Sequence, residues 1–208
     1  MRLLQFSYSP YAAKVRTCLE LKKLECELVN IPYTQRSELV KVSGGIGVPV
    51  LEDGATIVTD SPRILEYLET KGGPSLREHP LASVIEQWAD EPFEEIAFRL
   101  ACPGLEDKMG AEQGEEARLM FRLVKERRYG AGAVAAWRAD QAKYSDQTKS
   151  MLQPIVEAVR ASGFVLGSTP SIADAAVVGQ LFMVEVALPG WVRTHAPALV
   201  GWFEHLKA

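Results

Sequence analysis

The sequence predicts a small α/β domain followed by an all-α domain, and three observations carry that prediction. Short alternating apolar runs and helix-spaced runs take turns from residue 2 to about residue 70. Lys71-Gly72-Gly73-Pro74-Ser75, with His79-Pro80 just beyond, can continue neither pattern and reads as a linker. After it every candidate element has a helical period. The expected domains are therefore residues 1–75 and 81–208.

Taken in order, Arg2 to Ser7 alternates as a strand. Tyr8-Ser9-Pro10 ends it in a turn where Ser9 suits the N-cap and Pro10 the first helical position. Tyr11, Val15, Cys18 and Leu19 recur at helical spacing and form one apolar stripe, with Cys18 read as a core thiol. Lys14 and Arg16 fall on what reads as the solvated side. Cys26 to Ile31 is a second strand, and a polar helix from about Arg36 to Val42 leads into Ser43-Gly44-Gly45. Pro49 has no N–H for a ladder, so it must open the strand Val50-Leu51-Glu52, a place that also suits a cis bond. Asp53-Gly54 turns the chain into Thr56-Ile57-Val58. Asp60, Ser61 and Pro62 then start a helix that turns Ile64, Leu65 and Leu68 inward. The order is β-α-β-α-β-β-α.

Beyond the linker, helices are expected over Leu81 to Leu100, Glu115 to Tyr129, Val134 to Arg160 with a kink at Pro154, Ile172 to Leu188, and Pro197 to Leu206. Ser171-Ile172-Ala173-Asp174 is a capping box with Asp in place of the usual Glu. The stretch from Ile172 to Leu188 is the longest apolar one. It carries Asp174, Gln180 and Glu185 and is short for a membrane span, so it reads as a buried core helix.

Composition narrows the function classes. The chain has 23 Lys and Arg against 27 Asp and Glu. Neither half is basic, which gives no electrostatic reason to expect nucleic acid or an anionic membrane as partner. Three cysteines, Cys18, Cys26 and Cys102, lack the spacing of a disulfide framework or a zinc site. No metal is expected, and a reducing, cytoplasmic setting is. The opening Met-Arg-Leu-Leu-Gln-Phe is already a strand pattern, so no signal peptide is expected.

Val48-Pro49 at a strand start, Asp60-Ser61 about ten residues later ahead of an amphipathic helix, and the Ser171 to Asp174 box after Phe164 to Gly167 together resemble the glutathione S-transferases, over roughly residues 3 to 206. The resemblance implies a thioredoxin-like N-terminal domain, a helical-bundle C-terminal domain and a two-fold homodimer. It also implies glutathione as co-substrate, joined through its thiol to a hydrophobic electrophilic small molecule.

Glutathione is a small peptide with a weakly acidic thiol. Its enzyme must hold an extended backbone, neutralise a free amino-acid end and favour the thiolate. By resemblance the Val48 backbone, beside a cis Pro49, pairs with the cysteinyl unit like an added strand. Asp60 takes the γ-glutamyl ammonium, and Ser61 with the helix-start amides takes its carboxylate. Gly47 stands where many members carry Lys or Gln for the glycyl carboxylate, a task that then falls to Lys41. Ser9-Pro10-Tyr11-Ala12 resembles Cys-Pro-Tyr-Cys with both sulfurs replaced, so redox exchange gives way to a hydroxyl that donates to the thiolate. Ser9 is the expected catalytic residue and Tyr8 the second choice; a plain N-cap is the competing role for Ser9. Trp88, Phe93, Phe98 and Arg99 are offered to the second substrate, and Lys125-Glu126-Arg127-Arg128 reads as a solvated helix end. A glutathione-dependent isomerase or dehalogenase, or a non-catalytic interaction module, would share these residues.

Overall fold

In the computed structural model, which describes residues 1–207, the chain opens with β1 (Arg2–Gln5), α1 (Pro10–Leu21), β2 (Glu27–Asn30), α2 (Ser37–Ser43), β3 (Val50–Asp53), β4 (Thr56–Thr59) and α3 (Ser61–Glu69). The strands form one sheet in the order β2-β1-β3-β4. β1 and β2 are parallel, as a crossover through α1 requires, and the other two pairings are antiparallel. Successive residues of a strand point to opposite faces. Leu3 and Leu51 accordingly pack with Val15, Cys18 and Leu19 of α1 and Ile64, Leu65 and Leu68 of α3. Leu4 and Val50 pack with Leu39 of α2 on the other face. This is the thioredoxin-like arrangement the element order predicts.

The rest is helical: α4 (Ala82–Trp88), a π-helical turn (Ala89–Phe93), α5 (Glu94–Gln113), α6 (Glu115–Tyr129), α7 (Ala133–Ala139), α8 (Gln141–Met151), α9 (Gln153–Ser162), α10 (Ile172–Ala187), α11 (Trp191–His195) and α12 (Val200–Leu206), the last preceded by a 3₁₀ turn over Pro197–Leu199. Two expected boundaries change. The helix beginning near Leu81 widens into the π turn around Pro92, which has no N–H to give, and then runs on past Leu100 to Gln113. The single helix expected over Val134 to Arg160 is three, broken at Asp140 and Leu152. Pro154 stands in the first turn of α9, where its missing N–H has no partner to lose, so it helps to open a helix rather than kink one.

Asp174 holds the C-terminal domain together at the start of α10. It is fully buried and accepts hydrogen bonds from the Ser171 N–H (2.9 Å), the Val165 N–H (2.9 Å) and Trp202 Nε1 (3.0 Å). Four donors around one carboxylate, the Ser171 hydroxyl included, replace the water it has lost.

The solvated side expected for α1 does not exist. Lys14 is 1% exposed and Arg16 5%, because α10 packs along that side of the helix and acids from α4 and the π turn reach Lys14. Lys14 pairs with Glu86 of α4 at 3.1 Å and with Asp90 in the π turn. Arg16 donates to Gln5 Oε1 (2.6 Å) and lies over the ring of Phe182 on α10. The approach of α10 is close enough that a Cβ on Gly179 would stand 2.5 Å from the Pro10 carbonyl oxygen. The close contact fixes the N-terminal end of α1 against the helical domain, and so positions the cleft described next.

Candidate functional site

Where β1 hands over to α1, Ser9 caps the helix: its Oγ accepts the Ala12 N–H at 3.3 Å, and its own N–H donates to the Phe6 carbonyl at 3.0 Å. The cap uses the hydroxyl as an acceptor, so its proton remains free to be donated to a further group. Ser9 therefore does not have to choose between capping α1 and binding an anion. Tyr8, immediately before it, stacks on Phe6 with ring centroids 5.8 Å apart and meets Phe121 of α6 edge-on at 6.1 Å. The Tyr8 hydroxyl is buried without a hydrogen-bond partner. Burial holds its pKa well above that of an ordinary phenol, so it serves as a neutral O–H group.

Ser9 and Tyr8 open into a cleft of about 240 Å³ between the two domains. The thioredoxin-like side contributes Tyr11, Arg36 and the Ile46-Gly47-Val48 loop, and the helical side Glu94, Phe98, Val124, Lys125, Arg128 and Tyr129. Arg36 lies over the rings of Phe6 (4.9 Å) and Tyr33 (4.4 Å) and donates through Nε to the Tyr33 carbonyl at 2.9 Å. The Val48-Pro49 bond is cis. A larger hollow of about 490 Å³ lies between α5, α8, α10 and α11, but its only titratable group is His195, stacked on Trp191. The ionisable and hydroxyl groups converge in the smaller cleft.

The other expected residues sit around that cleft to different degrees. The hairpin register Val50↔Thr59 leaves Pro49 and Asp60 as the next residues on neighbouring strands, which is why Val-Pro and Asp-Ser come together across eleven residues. Asp60 is exposed, at φ +74°, and its carboxylate makes no hydrogen bond or ion pair among the described residues. Ser61 is buried at the start of α3, and its hydroxyl likewise has no partner there. Lys41 is exposed on α2 and is not part of the cleft wall. Of the residues offered to a second substrate, only Phe98 lines the cleft. Phe93 is buried in the core with Trp88 stacked on it at 4.9 Å, and Arg99 pairs with Glu95.

Sequence reasoning missed Arg36, Lys125 and Arg128. Lys125 corrects the expectation of a solvated helix end; Arg127 and Arg128 stay exposed, though Arg128 also lines the cleft. Phe121, Lys125 and Arg128 follow one another at i, i+4 and i+7, on the side of α6 that meets the cleft. That spacing was the available signal. Burial lowers the pKa of Lys125 and raises that of Glu94. Among the described residues no group of three His, Cys, Asp or Glu side chains is placed to hold a metal, and no helix is long and apolar enough to cross a membrane.

Known proteins match this architecture at several levels. Residues 3–75 match the family model of the glutathione S-transferase N-terminal domain and residues 130–205 that of the C-terminal domain, with α4 to α6 between them. A probable glutathione S-transferase of Nicotiana tabacum is 27% identical over 141 residues, a match spanning 64% of this chain and 63% of the tobacco protein's length. A Phanerochaete chrysosporium glutathione transferase superposes with a TM-score of 0.79 at 16% identity, covering 99% of this chain and 95% of its own. A Ceriporiopsis subvermispora glutathione S-transferase, solved in complex with glutathione, gives 0.76 at 19% identity over 100% and 97%. Similarity at such low identity speaks for the fold, and the two domain matches, which together span most of the sequence, speak for descent: the chain belongs to the glutathione S-transferase family.

Proposed function

We propose that this chain joins the thiol of glutathione to an electrophilic small molecule in the interdomain cleft. The observation that carries the reading is the free hydroxyl proton of Ser9 at the N-terminus of α1, in the same cleft as the backbone of Val48. The helix amides and the Ser9 O–H favour an anion there, which is what a thiol must become to attack. The Val48 backbone beside cis Pro49 would pair with the cysteinyl unit. The unpartnered Asp60 carboxylate and Ser61 hydroxyl, with the amides that open α3, would take the two ends of the γ-glutamyl amino acid. The glycyl carboxylate would meet a cation; Lys41 is one candidate, and Arg36 is the one that lines the cleft.

In the reaction the thiolate sulfur forms a bond to the electrophilic carbon. The electron pair of the broken bond leaves with the displaced group, and the thiol proton passes to solvent. The same reading has the chain act as a two-fold homodimer in the cytoplasm, where its free cysteines would stay reduced. Calorimetry with glutathione and a conjugation assay with 1-chloro-2,4-dinitrobenzene test it. The expected result is binding with turnover. Absence of glutathione binding would refute the reading, and binding with no conjugation of any electrophile would turn it towards a non-catalytic module.

A further inference from the structure

Lys125 stands in the cleft without a direct partner for its ammonium; Glu94 acts on it only through the longer-range attraction of opposite charges. Its ammonium lies 4.8 Å from the centroid of the Phe98 ring and 5.0 Å from that of Phe121. Among the described residues it makes no hydrogen bond or ion pair. Ring faces attract a cation but leave its N–H donors unused. Arg128, almost one turn further along α6, lies over the Tyr129 ring and also has no carboxylate partner. Glu94 is the one acid in the cleft wall, and it forms no ion pair with either cation. The Tyr8 ring meets edge-on the same buried Phe121 ring that Lys125 covers, and the Tyr8 hydroxyl has no hydrogen-bond partner.

A wholly apolar ligand entering this cleft would strip water from the Lys125 ammonium and return nothing to it. An aromatic ring carrying an anion would stack against Phe98 and Tyr129, which line the cleft, and pair with the ammonium at the same time. We infer that the second substrate is an aromatic electrophile bearing a carboxylate or similar anionic group, held by Lys125 with Arg128 at the rim. This rests on the conjugation reading given above, and it names the class of molecule that the cleft selects. The wall that makes the selection, on α5 and α6, lies between the two stretches that match the family models.

The rival owner of Lys125 is the glycyl carboxylate of glutathione, so the test is made with the glutathione site filled. With protein saturated in S-methylglutathione, calorimetry compares unreactive 4-methyl-3-nitrobenzoate with its neutral amide. The acid is expected to bind about tenfold tighter, the size a charge-assisted hydrogen bond supports. Lys125→Met should abolish that preference and Lys125→Arg should keep it, which separates loss of charge from damage to the helix. Equal binding of acid and amide by the parent protein, a preference that survives Lys125→Met, or a loss confined to S-methylglutathione affinity would each overturn the inference. Turnover of 4-chloro-3-nitrobenzoate with glutathione is measured separately. If the acid preference holds but neither the acid nor its amide is conjugated, the conjugation reading fails while the ligand class stands.

Discussion

Asp60 gives a prediction in which stability and binding move in opposite directions. Its backbone sits at φ +74°, ψ 128°, outside the regions open to residues with a Cβ. Holding a non-glycine residue in such a conformation costs roughly 1 to 3 kcal/mol. Asp60→Gly removes that cost, while the greater freedom of glycine in the unfolded chain takes back about 0.5 to 1 kcal/mol. The side chain makes no hydrogen bond or ion pair among the described residues whose loss would enter the sum. Taking the middle of each range, the net gain is about 1 kcal/mol, which for a chain of this length raises Tm by roughly 2 to 4 °C. Asp60→Ala keeps the Cβ and the strain, so it should melt near the parent. Both substitutions remove the carboxylate and should weaken glutathione by about 1 to 3 kcal/mol. Thermal melts without ligand and calorimetry with glutathione read the two effects separately. If the glycine variant melts at or below the alanine variant, the strain argument is wrong; if both keep parental affinity, Asp60 does not hold the ligand.

Ser9→Ala should raise the pKa of bound glutathione towards the free-thiol value of about 8.5 and lower the conjugation rate at neutral pH. That deficit should shrink as pH rises, because alkali then supplies the thiolate; ultraviolet titration of the bound thiol, compared with Tyr8→Phe, checks it, and a shift in the tyrosine variant alone would move the role to Tyr8. The same Ser9→Ala change removes the acceptor for the Ala12 N–H and should cost about 1 kcal/mol of stability. Gly179→Ala should lower the urea midpoint by the equivalent of roughly 1 to 3 kcal/mol, since its methyl would stand 2.5 Å from the Pro10 carbonyl; an unchanged midpoint would mean that α1 and α10 separate easily. Cys18 is buried with its thiol pushed up to about 12, so it should resist iodoacetamide at pH 8 until the protein unfolds, as mass spectrometry of labelled peptides would read. Light scattering at micromolar concentration should return about twice 22.9 kDa, and a mass near 22.9 kDa would count against the homodimer.

The N-terminal fold was legible because its signals are local. Pro49 has to begin a strand, Asp53-Gly54 has to turn, and the β-α-β-α-β-β-α order leaves few ways to pair four strands. Glu115 to Tyr129 was legible to the residue, bounded as it is by Gly114 and Gly130. What failed was whatever depended on distant partners. Lys14 looks solvated until Glu86 and Asp90, more than seventy residues away, are brought to it. Lys125 looks like part of a charged helix end until Phe121 fixes which face is turned inward. The breaks at Asp140 and Leu152 carry no glycine, and there the proline falls just inside the new helix instead of between the two. Of the residues that line the cleft, Ser9 and Val48 could be named from their sequence neighbours, whereas Arg36, Lys125 and Arg128 become visible only once both domains close it.

The burial of Lys14 also bears on how such a chain can be rebuilt from parts. Its ammonium belongs to the thioredoxin-like half, and both of its acids belong to the helical half. A hybrid that grafted this N-terminal half onto the helices of another relative would bring a cation into a dry interface where no acid need be waiting. Stranding one member of a buried pair costs about 3 to 5 kcal/mol, a large share of the margin by which a protein stays folded. The wall of the cleft can drift one residue at a time towards new ligands. Lys14, Glu86, Asp90 and the bare Gly179 beside them would have to be moved as a set, so a hybrid keeps its margin only where the partner half brings both acids and the glycine.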